Sequence, residues 1–317
     1  MNRFGGLVIT ALVFASSTSD AYVRSRTSHG TPTSWRSSCV LVQPDSVGTN
    51  DLDATTITAT IQASMQAWAA ATAACSYLTL SFVTPAVLDA HFDGINTIKF
   101  RADKWCHPDD SHSSGVCYSN AAAGITTVYY ADRPGESDDG TMLDADVELN
   151  DINFTFAIVD PSAPAAIKPR SGTSIADFEN TLVHELGHLQ GLDHTCKDSS
   201  TPATELDETG MAPPSCAALA SLSAAARAKI TEATMFNSAT AGETKKRTPE
   251  ADDVAGICAA YPIANKPAAC SPQSIAGYDG SHGCAFAARP ATCVSWFWTS
   301  AALSIALLRR RRVRPAR

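Results

Sequence analysis

Eleven residues, His184-Glu185-Leu186-Gly187-His188-Leu189-Gln190-Gly191-Leu192-Asp193-His194, restrict the fold more than any other stretch of this sequence. Side chains four apart share one face of a helix, so His184 and His188 can point at one metal ion. Gly191 can end that helix in a left-handed conformation and turn the chain back, which brings His194 to the same ion. Three neutral imidazoles can hold zinc and leave one coordination position open, as a catalytic zinc needs for water. Glu185 sits beside this tripod without belonging to it. There it can take the proton of an activated water and hand it to a leaving amine.

The surrounding pattern puts the run on a helix. Ile175, Phe178, Leu182, Leu186 and Leu189 recur every three or four residues, which predicts a helix over 174–190 capped by Thr173 or Ser174. Ile57, Ile61, Met65 and Trp68 predict another over 51–74, with Asp51 or Asp53 as its cap. Alternation predicts strands at 77–83, 96–100, 125–130 and 143–149. In the last of these, Leu143, Ala145, Val147 and Leu149 face one way and Asp144, Asp146 and Glu148 the other. An alanine-rich helix is expected over 215–233, and a final one opening at Thr248-Pro249-Glu250 and stopping before Pro262.

The eleven-residue run matches the zinc signature of the metzincin metalloproteases, H-E-x-x-H-x-x-G-x-x-H, and the chain resembles that family. Its nearest likeness is to the matrixin-type catalytic domain. The resemblance covers 22–262, strongly at the zinc run and weakly elsewhere. Metzincins carry a methionine turn beneath the zinc. Ala233-Thr234-Met235-Phe236-Asn237 is the matching segment, preferred to Met211 because the helix from Thr248 follows at a family-like interval. Asp144-Ala145-Asp146-Val147-Glu148-Leu149-Asn150 resembles the edge strand that lines the substrate cleft. Asp252-Asp253-Val254-Ala255-Gly256-Ile257 resembles the start of the closing helix. The resemblance implies an α+β zincin: a twisted mixed β-sheet, long helices, a small C-terminal subdomain, and a cleft between the two parts. It implies a monomeric zinc endopeptidase that hydrolyses protein or peptide substrates. The chain departs from compact matrixins in the long span from His194 to Met235, which holds Cys196 and Cys216. No propeptide switch motif surrounds Cys39, and no haemopexin-like repeat follows.

Both ends point to export. Arg3, an apolar stretch over 7–15 and Ser19-Asp20-Ala21 form a secretory signal, predicting a signal peptide over 1–21 and cleavage before Tyr22. Ten cysteines fit an oxidising compartment, and local pairs are expected: Cys39 with Cys75, Cys106 with Cys117, Cys196 with Cys216, Cys258 with Cys270. A polar stalk is expected over 263–292. Beyond it, an apolar run from Cys293 ends in Arg309-Arg310-Arg311-Arg312, a basic block that holds such an end in the cytoplasm. Gly283-Cys284, that run and the arginines resemble the C-terminal sorting segments of myxobacterial surface proteins. The expected location is therefore secreted and surface-anchored, with membrane contact only through 293–317. The net charge of −8 gives nucleic-acid binding no electrostatic support.

Further metals are weighed against plainer readings. His107, Asp109, Asp110 and His112 could bind a structural zinc or calcium, but a solvated loop pinned by a disulfide is preferred. Asp138, Asp139, Asp144 and Asp146 offer oxygen ligands for calcium, yet a solvated acidic turn and strand face is preferred there too. A catalytically silent zinc-containing surface module and a cell-wall peptide amidase are the alternative functions. Glu185 argues against the silent module, because a purely structural site has no use for a base.

Overall fold

The computed structural model describes residues 22–109, 115–198, 204–267, 270–278 and 284–286. The chain is a mixed α/β structure. It opens with β1 (Val23–Arg24) and β2 (Cys39–Pro44), then α1 (Ala54–Thr72), β3 (Thr79–Phe82), β4 (Asn96–Arg101), β5 (Gly124–Tyr130) and β6 (Met142–Asn150). It continues through β7 (Phe154–Ala157), β8 (Ser174–Asp177), α2 (Phe178–Leu189), β9 (Leu192–Asp193) and β10 (Leu206–Asp207). Last come α3 (Ala224–Glu232), α4 (Ala251–Ala260) and β11 (Cys284–Phe286). The main sheet has six strands in the order β11-β5-β6-β4-β2-β3. β5 runs antiparallel to β6, while β6, β4, β2 and β3 are mutually parallel.

Helices α1 and α2 pack on this sheet through one continuous core. α1 buries Ile57, Ile61, Met65 and Trp68, as the spacing predicted, and Asp53 caps it by accepting from the Thr56 N–H at 2.9 Å. The Trp68 indole N–H crosses to the Val183 carbonyl of α2 at 2.9 Å. The last carbonyls of α2, which lack partners within the helix, are taken by side chains. Trp35 Nε1–H donates to Leu189 O at 2.7 Å, and the Tyr261 hydroxyl donates to Gln190 O at 2.8 Å.

Several expectations need correction. The zinc-run helix begins at Phe178 rather than near Ser174, and its cap is Asp177, not Thr173 or Ser174. Residues Ser174–Asp177 are strand, because they pair in parallel with β7 and the Asp177 carboxylate accepts from the Asn180 N–H at 2.8 Å. The 215–233 stretch divides into a 3-10 turn, Cys216–Ser221, and α3, whose cap is Ser223. The strand holding Asp144–Asn150 is interior, since β4 and β5 occupy its two sides; the long strand nearer the sheet edge is β5.

The acidic face of β6 is not solvated, because two loops cover it. Asp144 accepts from the Asp93 and Gly94 N–H groups at 2.8 Å each, and Asp146 accepts from the Thr97 N–H at 2.8 Å. Glu148 pairs with Arg101 and receives His107 Nδ1–H at 2.8 Å and the Tyr118 hydroxyl at 2.6 Å. His107 is therefore buried in a hydrogen-bond network rather than placed in a solvated loop, while Asp110 and His112 lie outside the described residues. Asp138 and Asp139 are engaged separately, with Arg133, Tyr278 and Thr31, so the four aspartates weighed for calcium do not converge.

Among the described residues, four disulfides form. Cys106–Cys117 and Cys196–Cys216 pair as expected, but the other two exchange partners, giving Cys39–Cys270 and Cys75–Cys258. Long-range packing decides this. The end of α1 lies against α4, and the chain after Pro262 returns to the start of β2. That return also differs from a free stalk: Ile275 and Tyr278 pack on Phe92, Tyr129 and Leu143. The signal-peptide stretch 1–21 and the apolar run 293–317 lie outside the described residues, among which no helix is long and apolar enough to cross a membrane.

Candidate metal centre

α2 presents His184 and His188 one turn apart on a buried face, and Gly191 then reverses the chain with φ +91°, a conformation only glycine adopts without strain. The path of the chain beyond this turn is fixed by an element the sequence did not announce. β9 pairs antiparallel with β1, Val23 opposite Asp193 and Arg24 opposite Leu192, and this carries His194 back over the helix. His194 Nε2 comes to 3.3 Å from His184 Nε2 and 3.1 Å from His188 Nε2. Two zinc–nitrogen bonds of about 2.05 Å at a tetrahedral angle would set their nitrogens about 3.3 Å apart.

The far side of two rings is already committed. His184 Nδ1–H donates to Thr234 O at 2.6 Å, and His188 Nδ1–H donates to Leu192 O at 3.0 Å. Carbonyls only accept, so these bonds place the ring protons on Nδ1 and leave the Nε2 lone pairs facing the common centre. Among the described residues, these three histidines form the one cluster able to hold a metal ion. Burial chiefly holds all three rings neutral: His184 and His194 sit well below the ordinary histidine range, and His188 is lowered to about 4. Protons should therefore compete little with a metal ion held here until pH falls towards 4, and protein loaded with zinc should keep it on dialysis at pH 5.5. In the metal-free protein the sign is also fixed. Unfolded histidines bind protons from about 6.5 downward and the folded ones do not, so stability should fall as pH drops from 6.5 towards 4.

Met235 lies directly below α2. It is 1% exposed, whereas Met211 is 67% exposed. A Cβ on Gly187 would collide with the Met235 sulfur and sit 3.2 Å from the Trp68 ring. Gly187→Ala should therefore destabilise by about 1–3 kcal/mol, against alanine's helix advantage of about 1 kcal/mol. A lowered melting temperature would show it. The turn around Met235 is itself anchored: Asp253, fully buried on α4, accepts from the Thr234 N–H at 2.7 Å and the Met235 N–H at 3.2 Å.

Glu185 faces away from the tripod's protein side into a cleft of about 620 Å³ that also reaches His184, His188 and His194. One wall is the chain leading into β5, Ala121 to Ile125; the other is the segment from Asn237 to Lys246. The Thr126 hydroxyl donates to Glu185 Oε2 at 2.7 Å and holds the carboxylate in place. Burial raises Glu185 to about 7, opposed by that hydrogen bond and by the Lys246 ammonium. Lys246 is 3% exposed; its backbone N–H donates to Asn180 Oδ1 at 2.8 Å and its ammonium to Phe236 O.

The structure thus gathers His184, Glu185, His188, His194 and Met235. Thr126, Thr234, Lys246 and Asp253 are the contributors that sequence reasoning did not single out for the site. Asp253 carried a signal as part of the stretch resembling a closing helix, and Thr234 as part of the segment matching the methionine turn. No family model matches this chain, and no curated protein matches it.

Proposed function

We propose that the chain is an exported, metzincin-like zinc endopeptidase. The observation that carries this reading is the convergence of three Nε2 atoms, that of His194 lying 3.3 and 3.1 Å from those of the buried His184 and His188, beside a buried carboxylate that opens on a cleft. Zinc is the metal of choice, because it is borderline-soft, accepts imidazole and favours four-coordination. His184, His188 and His194 would hold it. When bound, it supplies Lewis-acid polarisation of a water and of a carbonyl oxygen.

The chain's own residues do the rest. Thr126 occupies Glu185 Oε2, which leaves Oε1 to receive the proton of the attacking water. The carboxylate takes that proton as general base and can give it up to the departing amide nitrogen. Thr234 and Leu192 keep the two helical imidazoles from rotating. The cleft floor excludes bulk water, since Glu185 and His188 are buried beneath its walls. Four disulfides support an oxidising location for the protein and hence extracellular protein substrates.

The test is zinc content and cleavage of unfolded casein by the full, disulfide-bonded chain. About one zinc per chain, with cleavage abolished by chelation and restored by zinc, is the expected result. Zinc without cleavage would leave a silent module or an amidase acting on cell-wall peptides. A chain that takes up no zinc would defeat the reading outright.

A further inference from the structure

We infer that Lys246 makes the cleft select a substrate carboxylate next to the scissile bond. The inference rests on the peptidase reading and adds a substrate class to it. Lys246 lines the same cleft as His184 and Glu185, yet it is almost fully buried in the wall. Its ammonium donates to one backbone carbonyl, that of Phe236. Among the described residues no ion pair engages it, whereas its neighbours Lys245 and Arg247 pair with Glu232 and Asp177. Taking an ammonium out of water costs several kcal/mol, and one carbonyl acceptor with the Phe236 ring centre 5.9 Å from the nitrogen does not offset that.

Asp177, Glu243 and Glu185 make no direct ion pair with it. Asp177 is held by the Arg247 guanidinium, with Nε–H donating at 2.8 Å. Glu243 turns Oε2 to the N–H of Thr240 at 3.2 Å; its Oε1 is buried without a hydrogen-bond partner, and its charge favours the Lys246 ammonium without touching it. Glu185 is bound by Thr126. The cleft around Lys246 carries small polar residues, Asn180, Thr181, Asn237, Ser238 and Thr240, beside apolar ones such as Ile175. A large aliphatic side chain entering there would leave these groups and the ammonium without partners. A carboxylate would complete the ammonium's shell, and a site built around such an incompletely paired group discriminates against analogues that lack its partner. That carboxylate can be an aspartate or glutamate side chain, or the free C-terminus of a short peptide.

The experiment uses the full zinc-loaded chain and peptides carrying Glu, Gln or Leu on either side of one scissile bond, each with a free or amidated C-terminus. Expected is a kcat/KM about tenfold higher for Glu than for its isostere Gln if the side chain is read, or for free over amidated ends if the terminus is read. Lys246→Met should bring the ratio to about one and Lys246→Arg should retain it, with melting curves recorded to show that both fold. Calorimetric binding of the same peptides to Glu185→Ala should rank them alike without turnover. Zinc-dependent cleavage with equal or apolar preference would overturn this inference alone. A wild-type chain that cleaves neither casein nor any peptide would overturn it together with the peptidase reading.

Discussion

Glu185→Gln is expected to lose casein cleavage by about 10²–10⁴-fold while zinc content stays near one per chain. Glutamine keeps the shape of the side chain, and its amide oxygen can still accept from the Thr126 hydroxyl that now meets Oε2 at 2.7 Å. What it cannot do is take a proton at the position of Oε1. The side chain is 4% exposed, so no bulk base replaces it from solvent. Glu185→Ala removes the Thr126 partner as well and should lose activity to a similar degree with some loss of stability. Metal analysis separates the two roles, because Glu185 is not among the residues whose nitrogens converge. A glutamine variant that cleaves within tenfold of the wild type would exclude Glu185 as the base.

The parts of this site that are local in sequence could be read from it. Helical spacing of four places His184 above His188, and Gly191 is needed wherever φ is +91°. Both are properties of a few consecutive residues. α1 was equally legible, since its buried stripe and Asp53 cap are periodic signals. What failed depends on partners distant in the chain. Ser174–Asp177 has a helix-compatible pattern but pairs with β7, so tertiary pairing overrides local preference. Asp144, Asp146 and Glu148 alternate as a solvent face would, yet Asp93, Gly94, Thr97, His107 and Tyr118 supply donors that bury them. Cys39 and Cys75 are expected as a local pair, but packing sends them to Cys270 and Cys258, 231 and 183 residues away. The same limit hid Thr126 and Lys246, ordinary residues until β5 and the 237–246 segment close on α2.

Asp253 should prove as important to the centre's integrity as any residue outside it, and Asp253→Ala is the variant that tests this. Its carboxylate is fully buried and takes two backbone N–H groups of the methionine turn, Thr234 at 2.7 Å and Met235 at 3.2 Å. Alanine leaves both donors buried without acceptors, at about 1–3 kcal/mol each, which predicts a melting temperature lower by about 5–15 °C. The consequence extends to the metal. Thr234 O orients the His184 ring through a 2.6 Å bond, and loss of such an orienting partner typically weakens metal affinity about 10–100-fold. Asp253→Asn keeps one acceptor oxygen and sets its amide NH₂ against the other N–H, so it should fall between wild type and alanine in both measurements. Burial already pushes the Asp253 carboxyl above its ordinary range, and the two N–H groups oppose that, so the charged form is held by the turn itself. If Asp253→Ala melted with the wild type and bound zinc as tightly, the turn would owe its position to Met235 packing under Gly187 alone.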